Sequence, residues 1–118
     1  MGTFRVTFEV GNPQGSRFET MEALVDTGAS YTGVPASMLR GLEVVPTLRR
    51  PFLLADGRPI EREMAETRVR LDGQELTTLV VFGDEGTRAL LGAYALEGFG
   101  LAADPVNRRL IPVHGLLM

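Results

Sequence analysis

The residues Ala23-Leu24-Val25-Asp26-Thr27-Gly28-Ala29 place a carboxylate at the end of an apolar run. An apolar run of this kind wants to be a buried strand, and a charge at its end is expensive to bury unless it is paired. Either Asp26 turns out to water or a suitable partner meets it inside. The rest of the inventory narrows the chemistry. There is no cysteine, which removes thiol nucleophiles, disulfides and zinc-thiolate sites. His114 is the single histidine, so a Ser/His/Asp triad would have to use it, and a three-histidine metal site is impossible. All 12 basic residues are arginine, so no lysine exists to complete a GxxxxGK[ST] phosphate loop. Acid/base work by carboxylates is what remains.

The chain of 118 residues suits one domain, residues 1–118, with a real core and little room for an elaborate site. A net charge of −3, without interleaved aromatic and basic residues, gives no footprint for nucleic acid. The opening MGTFRVTFEV alternates and does not read as a signal peptide. No stretch approaches the roughly 20 apolar residues of a membrane span. A cytoplasmic protein with no membrane partner is the default expectation. The spacing of Asp26, Asp56 and Asp104 matches no ligand loop, so neither a metal nor another cofactor is expected.

The elements that position Asp26 are short. Thr3 to Val10 alternates, with Phe4, Val6, Phe8 and Val10 on one face, and predicts a half-buried strand. Asn12-Pro13-Gln14-Gly15 is a turn, and Arg17 to Val25 a second strand, so a hairpin delivers Asp26 at its far end. Residues 34–41 suggest a short helix with Pro35 first and Gly41 as terminator. Phe52 to Leu54 and Pro59 to Glu63 flank Ala55-Asp56-Gly57-Arg58 as a hairpin with Asp-Gly at its tip. Glu66 to Leu71, the turn Asp72-Gly73 and Leu76 to Phe82 form another. Ala89-Leu90-Leu91-Gly92, a helix over 93–99 and a last hairpin over 101–113 complete the chain. The predicted class is all-β, a closed barrel of short strands and hairpins with one or two short helices. There is no full-length repeat, only a weak echo: Leu24-Val25-Asp26-Thr27-Gly28 and Leu90-Leu91-Gly92 are both apolar runs that break at a glycine.

Taken alone, Asp-Thr-Gly reads as a β-turn after a strand, as Asp56-Gly57 and Asp72-Gly73 do. Its context differs: two apolar residues precede it, Ala29-Ser30 follows, and the apolar-apolar-glycine segment comes about 65 residues later. In this order of parts the sequence resembles the retropepsin-like aspartic proteases, single-domain relatives of the viral proteases. The ending Gly98 to Asp104 with Arg109-Leu110-Ile111-Pro112 resembles the closing hairpin of cellular and bacterial members.

The resemblance implies roles. Asp26 matches the catalytic aspartate, and Thr27 the residue whose hydroxyl bonds across a two-fold axis. Gly28 matches the position that lets the substrate backbone approach, followed by Ala29 in the supporting loop. Leu90, Leu91 and Gly92 would pass close behind the catalytic loop, and Ala55, Asp56, Gly57 and Arg58 would be the tip of a flap over bound peptide. Two departures stand out: Ser30 replaces a usual second aspartate of viral members, and Ala93 the arginine that pairs with it. Arg58 adds a charge near the flap tip that would either favour acidic substrates or simply meet solvent.

With a single Asp-Thr-Gly, this chemistry requires a homodimer in which each subunit gives one Asp26 to a shared site. The expected activity is aspartic endopeptidase, a hydrolase acting on a peptide or protein substrate through water activated by the two carboxylates. The alternative is a dimeric peptide- or protein-interaction module that keeps the loop but not efficient cleavage. Tyr31, next to the loop, suits either the core or a subsite. The apolar tail Leu116-Leu117-Met118 suits a dimer contact.

Overall fold

Alternation decides the first hairpin. Phe4, Phe8 and Val10 are buried while Arg5 and Thr7 are exposed, and this period of two makes Phe4–Gly11 the strand β1. It pairs antiparallel with β2, Phe18–Val25, from Phe4↔Val25 to Gly11↔Phe18. Asn12 shapes the turn between them, its Oδ1 accepting from the amides of Ser16 and Arg17 at 2.8 and 3.2 Å. The structure, a computed structural model, describes residues 4–117. Thr3, expected to open the first strand, and Met118, expected to close the apolar tail, lie outside the described residues.

Residues 32–41 differ from the expected helix. Thr32–Pro35 is a strand, β3, and helix α1 occupies only Ala36–Gly41. The reason is packing: fully buried Val34 pairs in parallel with Phe82, a use that suits a β-branched residue. Pro35, with ψ 134°, is extended and serves as N-cap, not as the first helical residue. Gly41 ends the helix, though not as a left-handed glycine cap. It is the last helical residue, and the left-handed step falls at Glu43 (φ 59°), after Leu42 has been drawn into the core.

The strands that follow are β4, Leu48–Leu53; β5, Pro59–Leu71; and β6, Gln74–Gly83. Residues 59–63 and 66–71, read separately from sequence, form one continuous strand. Met64 and Ala65 are both buried, on opposite faces, and that break in alternation conceals the continuity. Asp72 and Gly73 take φ 53° and 78°, as a two-residue hairpin turn requires. β7 is Ala89–Leu91, and helix α2 is Ala93–Phe99, ended by Gly100 in the left-handed region. β8, Leu101–Asp104, and β9, Arg109–Pro112, close the described chain as a separate two-stranded sheet.

The main sheet runs β1-β2-β7-β3-β6-β5-β4, and β1 also pairs with β5 through Glu9↔Arg70 and Val10↔Val69. Six strands therefore form a closed ring, with β4 outside it: an all-β barrel with two short helices. Phe8, Val10, Leu39, Val69, Val80 and Leu91 fill it, each at most 2% exposed. Burial of each such side chain stabilises the fold by about 1.5–3 kcal/mol. Among the described residues no helix is long and apolar enough to cross a membrane.

Candidate active site

The two apolar runs that echo each other in sequence are neighbouring strands. β7 is inserted between β2 and β3, parallel to β2 through Leu24↔Leu90 and Val25↔Leu91, and antiparallel to β3 at Gly33↔Leu90. Where β2 ends, the ladder makes one more bond: the Asp26 amide donates to the Leu91 carbonyl at 3.0 Å. The chain then leaves the sheet as a turn, closed by the Ala29 amide on the Asp26 carbonyl at 3.1 Å.

The start of α2 grips the other side of this loop. The Ala93 amide donates to the Ala29 carbonyl and the Tyr94 amide to the Ser30 carbonyl, both at 2.9 Å. First-turn amides have no partner within their own helix, so the loop carbonyls satisfy them. The segments that carry the departures at Ser30 and Ala93 thus meet through their backbones. Gly92 makes this approach possible: a β-carbon there would stand 2.5 Å from the Tyr31 oxygen and 3.0 Å from that of Ala29. Its amide donates to the Oγ1 of fully buried Thr32 at 3.2 Å. Leu90, Leu91 and Gly92 therefore lie directly behind the Asp26 loop.

At the loop itself Asp26 is half-buried, while Thr27 and Gly28 are exposed. The Gly28 amide donates to Asp26 Oδ1 at 3.0 Å, which aims the carboxylate along the loop. A β-carbon at Gly28 would lie 3.2 Å from that same oxygen and crowd it.

A groove of about 490 Å³ starts at Gly28 and runs beneath the β4–β5 hairpin. Tyr31 is half-buried in its wall, its ring edge-on to Phe52 at 6.1 Å between centroids and tilted against Tyr94 at 5.7 Å. The Arg50 guanidinium lies 5.9 Å from the centre of the same ring. The hairpin contributes Phe52, Leu53, Ile60 and Arg62 to the lining, and Arg88 closes the end beyond β6.

The tip residues Ala55, Asp56, Gly57 and Arg58 are all exposed and do not line this groove. The tip is a turn with Gly57 at φ 86° and the Gly57 amide on the Leu54 carbonyl at 2.8 Å. Arg58 does not project a free charge. Its Nε donates to Asp56 Oδ2 at 2.7 Å and its amide to Oδ1 at 3.0 Å. The backbone bond from Arg58, followed by the side-chain bond, holds the Asp56 carboxyl below its usual range.

Sequence reasoning missed two contributors. Thr32, whose hydroxyl anchors Gly92, sits in β3, where the sequence reading assigns no element before residue 34. Phe52 was placed in a hairpin but not against Tyr31, a contact that only the folded chain creates. Asp26 follows the end of β2, Asp56 lies in the β4–β5 turn and Asp104 ends β8, and among the described residues no three acidic or histidine side chains gather as a metal site.

The family model described as "gag-polyprotein putative aspartyl protease" matches residues 17–98, from just before β2 through most of α2. No curated protein matches the chain by sequence. Among solved structures, the simian foamy virus (mac) protease in solution aligns with a TM-score of 0.58 at 17% identity, covering 80% of this chain and 93% of that one. The EIAV protease in complex with the inhibitor HBY-793 aligns with a TM-score of 0.58 at 16% identity, covering 81% and 86%. At such identities the likeness is one of fold.

Proposed function

The chain belongs to the retropepsin-like gag-polyprotein aspartyl protease family, and on that premise we propose that it is an aspartic endopeptidase whose site is completed by a second copy of itself. The observation that supports this reading is the Asp26 loop: a carboxylate oriented by the Gly28 amide, on a loop clamped from behind by Leu91, Ala93 and Tyr94, whose residues Gly28 to Tyr31 line the groove. One domain supplies one carboxylate. A two-fold axis beside Thr27 brings Asp26 against its symmetry mate, with the Thr27 hydroxyl bonding across the axis.

Two carboxylates in contact share one proton, because like charges at that distance do not both ionise cheaply. The charged member takes a proton from water, and the water oxygen attacks the peptide carbonyl carbon. The protonated member donates to the carbonyl oxygen and stabilises the tetrahedral intermediate. Collapse of that intermediate breaks the C–N bond, with the amine leaving protonated. Exposed Gly28 leaves room for the substrate backbone beside the carboxylate, and the β4–β5 hairpin covers the peptide. The closing β8–β9 hairpin fits the cellular and bacterial members of the family.

The test is incubation of the purified protein with a peptide library across about pH 4 to 7, beside Asp26→Asn, which keeps the shape but not the shared proton. Cuts made by the parent and absent from an equally folded variant are the expected result. Identical cuts from both proteins would overturn the assignment. Binding of peptides without cleavage by the parent would make the protein an interaction module on the protease fold.

A further inference from the structure

Eight of the 12 arginines form ion pairs, for example Arg17 with Glu43, Arg62 with Asp84 and Arg68 with Glu75. Among the described residues Arg5, Arg50, Arg88 and Arg108 form none. Arg50 covers the Tyr31 ring. The other three converge on one pocket of about 600 Å³, lined also by Phe4 and Leu24.

The sheet explains why they converge. Arg5 is paired with Leu24 across β1–β2, and Leu24 with Leu90 across β2–β7. Side chains two residues apart on a strand share a face, so Arg5, Leu24, Leu90 and Arg88 all point away from the core residues Ala23, Val25, Ala89 and Leu91. Asp26 follows Leu24 by two residues on that side, about 7 Å further along. Arg108, in the β8–β9 turn at φ 55°, completes the cluster. Arg88 lines both this pocket and the groove beneath the β4–β5 hairpin, so the two spaces meet at its side chain.

Three guanidinium groups around one cavity repel each other, and among the described residues none of the three is offset by an ion pair. Glu22 shares the outer face opposite Thr7 and, among the described residues, forms no ion pair with Arg5. Asp104 is occupied by Asn107 and Arg109. The unpaired charge lies beside the Asp26 loop, whereas Arg58, the arginine singled out from sequence, is neutralised by Asp56.

We propose that Arg5, Arg88 and Arg108 form an acidic-residue subsite that selects peptides carrying Asp or Glu within two or three residues of the bond facing Asp26. This deepens the protease reading and rests on it for the word substrate. Guanidinium groups suit a carboxylate because their planar donors engage both of its oxygens.

The experiment compares pairs of peptides that differ only by Glu or Gln at each position around a cleaved bond. The parent is expected to prefer Glu at one such position by about tenfold in kcat/KM, the scale of one charge-assisted hydrogen bond. Arg88→Gln and Arg5→Gln should each reduce that ratio severalfold, and about 0.5 M salt should do the same. Arg17→Gln, remote and already paired with Glu43, should keep the ratio. Peptides with free and amidated C-termini separate a side-chain carboxylate from a terminal one; a preference that follows only the free terminus overturns the proposal. Cleavage with equal rates for Glu and Gln at every position also overturns it while leaving the protease reading intact. A second arm measures binding of the same peptides to Asp26→Asn by fluorescence anisotropy. A Glu preference there that is lost in Asp26→Asn/Arg88→Gln supports the subsite even if the parent cuts nothing, so the two readings fail separately.

Discussion

A β-carbon placed on Gly92 would lie 2.5 Å from the carbonyl oxygen of Tyr31. That oxygen belongs to the backbone, so no rotamer change relieves the clash, and the Asp26 loop and the start of α2 have to separate. Gly92→Ala is expected to cost about 2 kcal/mol, lowering Tm by roughly 10 °C, and to abolish peptide cleavage. An unchanged melting curve would show that the two segments are not in the contact described.

Thr32 acts on the same junction from below. Thr32→Val leaves the buried Gly92 amide without its acceptor, at a cost of about 1–3 kcal/mol. Thr32→Ser keeps the hydroxyl and should recover most of the loss. Urea unfolding of the two variants separates the hydrogen bond from the packing of the methyl group, and equal midpoints for both would count against the bond.

Half a site does no chemistry, so specific activity should fall on dilution below the dimer dissociation constant. The proposed sharing of one proton between two Asp26 carboxylates predicts a bell-shaped rate profile on the acid side of neutrality. Rates measured at several concentrations, beside sedimentation, test both. Activity strictly proportional to enzyme from a monomer would remove the paired carboxylates.

The Ser37–Glu85 contact sets an acid limit on local stability. Glu85 accepts from the Ser37 hydroxyl at 2.5 Å and the Ser37 amide at 2.8 Å, tying the first turn of α1 to the β6–β7 loop. The side-chain bond, then the backbone bond, hold the Glu85 carboxyl below its usual range. The folded protein therefore binds this proton more weakly than the unfolded chain. The contact stabilises above the unfolded carboxylate range and is lost as pH falls through the lowered folded value. In Ser37→Ala the Glu85 titration followed by NMR should move up toward that of a free glutamate. The difference in stability between the two proteins should be present at neutral pH and gone by about pH 2.

Features governed by neighbours in the chain were legible before folding. The alternation of Phe4 to Val10, the Asp72-Gly73 turn and the helix Ala93–Phe99 follow from local pattern, and the structure has them there. β3 was not legible because it has four residues, two of them Gly33 and Pro35, and exists through distant partners on β6 and β7. The echo between the runs at residues 24–28 and 90–92 hinted at a relation, but only the inserted strand shows them side by side. Charge was the least legible property. Sequence singled out Arg58 because it sits at a hairpin tip, whereas pairing with Asp56 cancels it, and the uncompensated arginines are assembled from residues 5, 88 and 108.

The position of β4 outside the ring divides the molecule mechanically. β5 pairs with β6 only from Met64 onward, so residues 59–63 bond to β4 alone, and Leu48↔Met64 marks the root of a two-stranded arm. Side chains steady it at the rim, Phe52 against Tyr31 and Arg62 to Asp84 at 2.9 Å, but its backbone ladder is internal. A lone ribbon of two strands is barely stable in water. Amide hydrogens of residues 49, 50, 52, 53 and 60–63 should therefore exchange with solvent through openings that the barrel does not share, while those of β1 and β6 wait for global unfolding. Lifting and reclosing of the arm should run on a clock of its own, with Leu48 and Met64 as the hinge and the β5–β6 pairing from Met64 onward kept.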